Sequence, residues 1–526
     1  MLVKPSVLLI VPTHRYGRVY PAPLSLGDFP VGPAYVASAL KTAGHQVYGF
    51  NPNNITGYSS GPEMLKVELN RTLQELCPDV VGLGGLAANY RFLKDAVDII
   101  HKELPSAGVV LGGGIANHDA EFIGPLLGVD ACVRGDGEIG MVELLAEGTH
   151  GTPIIDGRIE DLDRLAFPDF ELFNAAGMLD MSPYVRYTYR FPRIKPRVMS
   201  IVTARGCPFS CSFCVHRPSG LVPYRMRSIP NIMAEIKENY ERYEFNILMI
   251  LDELFAANKI RLREFCEAVM VGREQYGWDF NWGFQTHASA ALDEAALKLA
   301  KEAGCYFFAY GLESSSPRVL ASIGKRTVPE QIEKGVKLAE SQRVAYCGAY
   351  IFGNRAENTS TISETISFFD KHLRNAHVYF GSSMPYPGSD DYDYCIEQGI
   401  IKNKAEYYER IDWERQWNMT KIPDVLWYPW AYLMGYLGAR FGWVKAAKDG
   451  KCPHCGAPVS RDSTPPIANT SEPMPLWVKA WRLKVLVSLL LTWWHPMYML
   501  LLPLLGRSKE LAGCPSCGKR FGWSMP

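Results

Sequence analysis

The sequence has no surplus of charge: 55 Lys+Arg stand against 55 Asp+Glu, and charged residues make up only 21% of the chain. A protein that neutralises phosphates needs a basic patch or stripe, so this balance gives no electrostatic ground for a nucleic-acid partner. The N-terminus, Met1 to Pro12, lacks the basic start, long apolar core and small-residue cleavage site of a signal peptide. Disulfides are therefore not expected. The odd total of 13 cysteines reads as ligands and core thiols in a reducing, cytoplasmic setting. No GxGxxG fingerprint, internal repeat or low-complexity tract occurs, and tryptophan is scarce before residue 400, where only two of the 12 fall.

What is present is a large folded chain. Hydrophobic residues make up 47% of 526, with 46 Gly and 36 Pro for turns. This length is several times the usual ~100–200 residues of one domain. In residues 1–150 apolar runs (Val7–Val11, Gln46–Phe50, Val80–Gly82, Val109–Leu111, Ala131–Val133) alternate with amphipathic stretches (Gly32–Ala43, Tyr90–Glu103, Met141–Glu147). Such alternation predicts a doubly wound parallel α/β sheet with its ligand at the carboxyl ends of the strands. Gly84, Gly85, Gly113 and Gly114 follow two of those runs, where backbone must approach a ligand closely.

Residues 151–195 show no periodicity and read as a connector. From 196 to 401 the alternation resumes, with strands expected at Met199–Thr203, Leu248–Leu251, Trp282–Gln285, Tyr306–Tyr310, Ala345–Ile351 and His377–Phe380. Six β/α units predict a partial barrel with its site at the strand ends. Residues 402–526 form a further region, expected to be α-rich, with two Cys-x-x-Cys pairs.

Two cysteine patterns carry chemistry. Cys207, Cys211 and Cys214 lie on a loop after the first barrel strand, at spacings that let three thiolates wrap three corners of a four-iron cluster and leave one iron free. Cys452-Pro-His-Cys455-Gly and Cys514-Pro-Ser-Cys517-Gly are two knuckles with four thiolates in tetrahedral reach, suited to one zinc or one iron.

The first loop, Thr203-Ala-Arg-Gly-Cys-Pro-Phe-Ser-Cys-Ser-Phe-Cys214, resembles the radical S-adenosylmethionine (SAM) superfamily. The resemblance implies a [4Fe-4S] cluster whose open iron chelates SAM. One electron, from a donor such as ferredoxin or flavodoxin, then cleaves SAM to a 5′-deoxyadenosyl radical. It further implies that Phe213 packs near the adenine, that Asp252 and Glu253 hold the SAM amino group, and that Glu313 and Ser314 lie near the ribose and carboxylate. Gly353 and Glu357 resemble a fifth-strand Gly-x-Ile-x-Gly-x-x-Glu pattern with one extra residue before Ile351 and another before Glu357.

The first 150 residues resemble the cobalamin-binding domain of one radical SAM branch through Gly32–Ala37, Gly44–Val47, Val110–Gly114 and Arg134–Glu138. His14 stands where cobalamin mutases carry a cobalt ligand, but Pro12 replaces the aspartate that orients it. Between the knuckles, 476–505 is an apolar stretch with Pro496 inside it, either a bent hairpin lying in a membrane interface or a buried hairpin against the barrel.

These features imply a cobalamin-dependent radical SAM enzyme that methylates an unactivated carbon of a hydrophobic or lipid substrate. The alternatives are cobalamin-independent C–C coupling or ring formation on a lipid, as in tetraether lipid synthases, and ring closure of a tetrapyrrole. A non-catalytic electron carrier would not need the residues on the SAM side.

Overall fold

The computed structural model describes most of residues 4–431, with 510–513 and 520–523; 1–3, 14–15, 17–28, 55–60, 149–152, 182–192, 194, 217–220, 258, 288–292, 343, 374–376, 413–416, 432–509, 514–519 and 524–526 lie outside the described residues.

The first unit runs β1 (Val7–Ile10), α1 (Val31–Thr42), β2 (Val47–Phe50), α2 (Pro62–Leu76), β3 (Val80–Gly84), α3 (Tyr90–Glu103), β4 (Gly108–Gly112), α4 (Gly113–Leu127), β5 (Ala131–Gly135), α5 (Gly137–Glu147) and β6 (Ile154–Gly157). Its strands pair in parallel in the order β2-β1-β3-β4-β5-β6. The order reverses at β1, which opens a crevice at the carboxyl ends of β1 and β3. Successive side chains of β1 enter opposite cores. Val7 and Leu9 join a cluster shared with α1, α5 and the second unit, while Leu8 and Ile10 pack on the side of α2, α3 and α4.

The second unit begins with α6 (Ala175–Met181) and β7 (Val198–Ile201), followed by a short antiparallel hairpin, β8 (Ala204–Arg205) and β9 (Arg225–Met226). It continues through α7 (Ile229–Tyr243), β10 (Ile247–Ile250), α8 (Lys259–Tyr276), β11 (Asn281–His287), α9 (Glu294–Glu302), β12 (Cys305–Glu313), α10 (Pro317–Ser322), α11 (Pro329–Gln342), β13 (Ala345–Phe352), α12 (Thr359–His372) and β14 (His377–Ser382). Here the sheet is wound in one direction only, β7-β10-β11-β12-β13-β14, all parallel. Consecutive pairing without a reversal makes this the expected open barrel of six β/α units, its active end at the strands' carboxyl ends.

After β14 the chain returns to the first unit. In α13 (Asp390–Glu397) and α14 (Lys404–Arg410), Tyr392, Cys395, Tyr407 and Tyr408 join Trp417 in the core that holds Leu8, Phe92 and Ile115. Asp119, in α4, accepts from Lys404 Nζ at 3.0 Å and from Tyr408 Oη at 3.0 Å. A further helical segment covers 424–431. Strands β15 (Glu510–Gly513) and β16 (Arg520–Trp523) form an antiparallel pair that brackets positions 514 and 517. The cysteines Cys452, Cys455, Cys514 and Cys517, the stretch 476–505 and His14 lie outside the described residues. Among the described residues no helix is long and apolar enough to cross a membrane.

Several elements differ from the sequence reading, which placed neither α2 nor α4. The stretch read as a connector contributes β6, which extends the first sheet past residue 150; its four residues are mostly half-exposed and carry no apolar run of their own. Gly113 and Gly114, expected where backbone approaches a ligand, open α4.

Candidate active site

The loop after β7 starts with a fixed bend. Gly206 has φ +76°, and a Cβ there would lie 2.8 Å from the Pro223 carbonyl oxygen, so only glycine fits. Cys207, Cys211 and Cys214 follow as free thiols, Cys211 buried and the other two half-buried. Burial raises all three, Cys214 to about 11, while the His216 N–H, 3.4 Å from the Cys214 Sγ, pulls the other way. Neutral thiols in a partly buried loop are what a metal displaces protons from. Among the described residues no three His, Cys, Asp or Glu side chains close on a single ion. A cluster instead asks each thiolate to take a different iron.

The loop is tied down on several sides. Ser212 N donates to the Ile323 carbonyl at 2.9 Å, and Ser212 Oγ to Asp391 Oδ1 at 3.0 Å. Phe213 packs on Val319, Leu320 and Ile323, and Phe209 stacks on His287 with ring centroids 4.2 Å apart. Burial, then the nearby Lys325, holds His287 down to about 3, so its ring stays neutral.

The strand ends supply the other expected residues. Asp252, fully buried, accepts from Thr203 N at 2.6 Å, Ala204 N at 3.0 Å and Thr203 Oγ1. Burial lifts it to about 6 against those hydrogen bonds. Its carboxylate is thus occupied in fixing the start of the cysteine loop, and Glu253 is the partly exposed neighbour, 3.2 Å from His216 Nδ1. Glu313 closes β12 with φ +57°, just after a register shift in that strand, and its Oε1 accepts from Lys325 Nζ at 2.9 Å. Ser314 Oγ sits 3.1 Å from Thr365 Oγ1. Gly353 has φ +110° and donates its N–H to Glu357 Oε2 at 2.5 Å. The other oxygen, Glu357 Oε1, is buried with no partner, and burial raises this carboxyl to about 8. Below that pH the carboxyl keeps its proton, so an orphaned buried oxygen able to donate or accept stands at a strand end and suits a polar ligand group.

A cavity of about 550 Å³ opens at the reversal point of the first sheet. Gly84, Gly85, Gly113 and Gly114 all line it. A Cβ on Gly113, at φ +76°, would come within 2.8 Å of Gly85 N, and one on Gly114 within 2.7 Å of Leu86 Cδ2. The wall is mostly apolar, with Asn89, Glu138 and Arg205 as polar groups. A roomy apolar cradle walled by bare backbone fits a large flat cofactor such as a corrinoid. Val202 and Arg205 of this lining belong to the second unit, so the cavity and the cysteine loop share a wall.

Sequence reasoning expected backbone to approach a ligand at Gly84, Gly85, Gly113 and Gly114, which all line this cavity, and put the three cysteines on one loop. It did not find Arg205 and Asp391, which lock that loop to its surroundings, or Lys325, which pairs with Glu313. The available signal was charge next to apolar strand ends: Arg205 before Gly-Cys, Lys325 after Gly324, and the Asp136-Gly-Glu138 turn.

The sequence matches the B12 binding domain family over residues 28–145 and the radical SAM superfamily over residues 201–369. It is 26% identical to an uncharacterized methyltransferase of Pyrococcus horikoshii, across 71% of this chain and 79% of that protein. It is 25% identical to the anaerobic magnesium-protoporphyrin IX monomethyl ester cyclase of Rubrivivax gelatinosus, across 80% of this chain and 74% of that one. Its fold is similar to that of the cobalamin-dependent SAM radical enzyme OxsB, solved with aqua-cobalamin and SAM. The TM-score is 0.55 at 15% identity, over 80% of this chain and 58% of OxsB. The chain thus joins a B12-binding domain to the radical SAM domain of an enzyme, and the proteins it is similar to include methyltransferases and cyclases.

Proposed function

We propose that this enzyme uses SAM and cobalamin to methylate an unactivated carbon of a hydrophobic small molecule. The observation that carries the reading is the shared wall: the cavity at the reversal point of the first sheet is closed by Arg205, two residues before Cys207. When bound, the [4Fe-4S] cluster supplies the electron that breaks SAM, and cobalamin supplies the carrier for the methyl group.

The chain's own residues have these parts. Cys207, Cys211 and Cys214 hold three irons. Asp252 fixes the loop that carries them, and Phe213 packs beside it. Glu253, Glu313, Ser314, Gly353 and the unpartnered oxygen of Glu357 form the rim on which SAM rests. Gly84, Gly85, Gly113 and Gly114 let the corrin ring lie against backbone. Cys452, Cys455, Cys514 and Cys517 hold one zinc or iron, a reading supported by the antiparallel strands on either side of the second pair. An external one-electron donor completes the system.

A second reading, ring closure on a tetrapyrrole, is favoured by the similarity to the Rubrivivax cyclase across most of both chains. One experiment separates them. Anaerobically reconstituted protein is given hydroxocobalamin, SAM and dithionite. Iron near four per chain, stoichiometric cobalt, and both 5′-deoxyadenosine and S-adenosylhomocysteine as products support methylation. 5′-Deoxyadenosine without S-adenosylhomocysteine turns the reading to ring closure, and intact SAM overturns both.

A further inference from the structure

Strands β8 and β9 bracket the cysteine loop, and Arg205 faces Arg225 across them. Both guanidinium groups reach one carboxylate. Arg205 Nη1 donates to Asp136 Oδ1 at 2.8 Å, and Arg225 Nη1 donates to Asp136 Oδ2 at 2.5 Å. Arg205 also forks onto Glu138, Nη2 to Oε1 at 2.5 Å and Nη1 to Oε2 at 3.2 Å. Its guanidinium lies 5.2 Å from the centre of the Tyr35 ring on α1. Beyond Arg225, Arg227 Nη1 donates to Tyr35 Oη at 2.9 Å. The two ends of the loop that carries Cys207, Cys211 and Cys214 therefore hang on the first unit, and chiefly on Asp136.

Asp136 is unusual for its position. It stands at the N-cap of α5, yet its side chain makes no capping hydrogen bond. It is 4% exposed and accepts instead from the two arginines and from Ile159 N at 2.9 Å. Its neighbours Gly135, Gly137 and Glu138 line the cavity, as does Arg205. Between Arg205 and Cys207 there is only Gly206, locked by its φ and by Pro223. A displacement of the turn between β5 and α5 is thus passed to both ends of the cysteine loop through two charge-assisted contacts.

We propose that Asp136 is a positioning residue that couples the two cofactor sites, so that a corrinoid in the cavity and a cluster on the cysteine loop bind cooperatively. The proposal rests on the reading of the cavity as a cobalamin site. Fixing the β5–α5 turn from the cavity side fixes the loop ends, and by reciprocity an ordered loop tightens the cavity.

The test is the dissociation constant of hydroxocobalamin, measured by absorbance titration of the full chain with and without its iron–sulfur cluster. The unaltered protein is expected to bind at least ~5-fold more tightly when cluster-loaded, the lower end of usual coupling between sites. In Asp136→Asn, whose side chain does not line the cavity, binding persists and the ratio falls to about 1. Arg225→Lys keeps the charge but not the second contact, Arg225 Nη2 to Asp136 Oδ1 at 3.3 Å, and retains a ratio between the two; it also decides the matter if the Asn variant does not fold. A ratio of 1 in the unaltered protein overturns the coupling and leaves the cobalamin reading standing. A ratio that survives both substitutions overturns the assignment to Asp136. A merely structural role for Asp136 would lower thermal stability without changing the ratio. Failure of hydroxocobalamin to bind either form overturns the cobalamin reading and the coupling together.

Discussion

The first sheet meets its cavity with bare backbone at Gly84, Gly85, Gly113 and Gly114, whereas the second surrounds the cysteine loop with side chains such as Asp252, Glu313 and Asp391. The contrast follows from winding. A doubly wound sheet opens a crevice where its order reverses, so the ligand lies against the strand ends themselves. A sheet wound one way leaves no such gap, and its site is assembled from residues projecting beyond the strands. A backbone-made site fails when atoms are added, and a side-chain-made site fails when they are removed.

The largest effect is expected from Cys211→Ala. Iron content and reductive SAM cleavage should both fall to the detection limit, while the melting temperature stays close to that of the cluster-free protein. Cleavage that persists would remove the three-cysteine loop from the reaction. Gly113→Val tests the other side of the comparison. At φ +76°, with Gly85 N at 2.8 Å from any added Cβ, this change costs roughly 1–3 kcal/mol or more locally. Hydroxocobalamin affinity should drop at least about tenfold with iron content unchanged, and loss of both together would erase the distinction between the two sites.

Asp252→Ala removes the acceptor of two backbone N–H groups and the Thr203 hydroxyl. Three buried donors left unpaired should destabilise the second unit by about 2–4 kcal/mol, read as a lower unfolding midpoint in denaturant. A pH-dependent effect concerns Glu357, whose carboxyl is raised to about 8 from an ordinary 4.5. A raised carboxyl binds its proton more tightly in the folded state, so stability is lost as pH climbs from about 4.5 through 8. Glu357→Gln should flatten that slope between pH 5 and 9 in a melting series. An unchanged slope would mean that this carboxyl is paired in solution.

The repeating β/α order was legible because each buried parallel strand is a short run of apolar residues, as in Val7–Ile10 or Ile247–Ile250, a signal the sequence carries without reference to its neighbours. The glycine wall was legible for the same local reason. What escaped was set by distant partners. Ile154–Gly157 becomes a strand only because β5 is beside it. Helix α2, with mixed polarity, shows its buried face, Leu65, Leu69 and Leu73, only once β1 and β3 are in place. Asp252 read as a SAM contact through the resemblance of its strand end to the radical SAM pattern, and no local pattern reveals that Thr203 and Ala204, some fifty residues away, occupy it. Charge pairs across the two units, such as Arg205 with Glu138, are similarly invisible to periodicity.

The return of the chain over the first unit has a consequence for synthesis. The last strand of the first sheet ends at Gly157, but the side chains that roof one of its faces, Tyr392, Cys395, Tyr407, Tyr408 and Trp417, leave the ribosome only after the whole second sheet has been made. Until then Leu8, Phe92 and Ile115 lie in a core that is not yet closed. A nascent chain in that state is sticky, and folding of its earliest part waits on its later part. A fragment ending between Ser382 and Asp390 should therefore aggregate even though it contains every strand of both sheets.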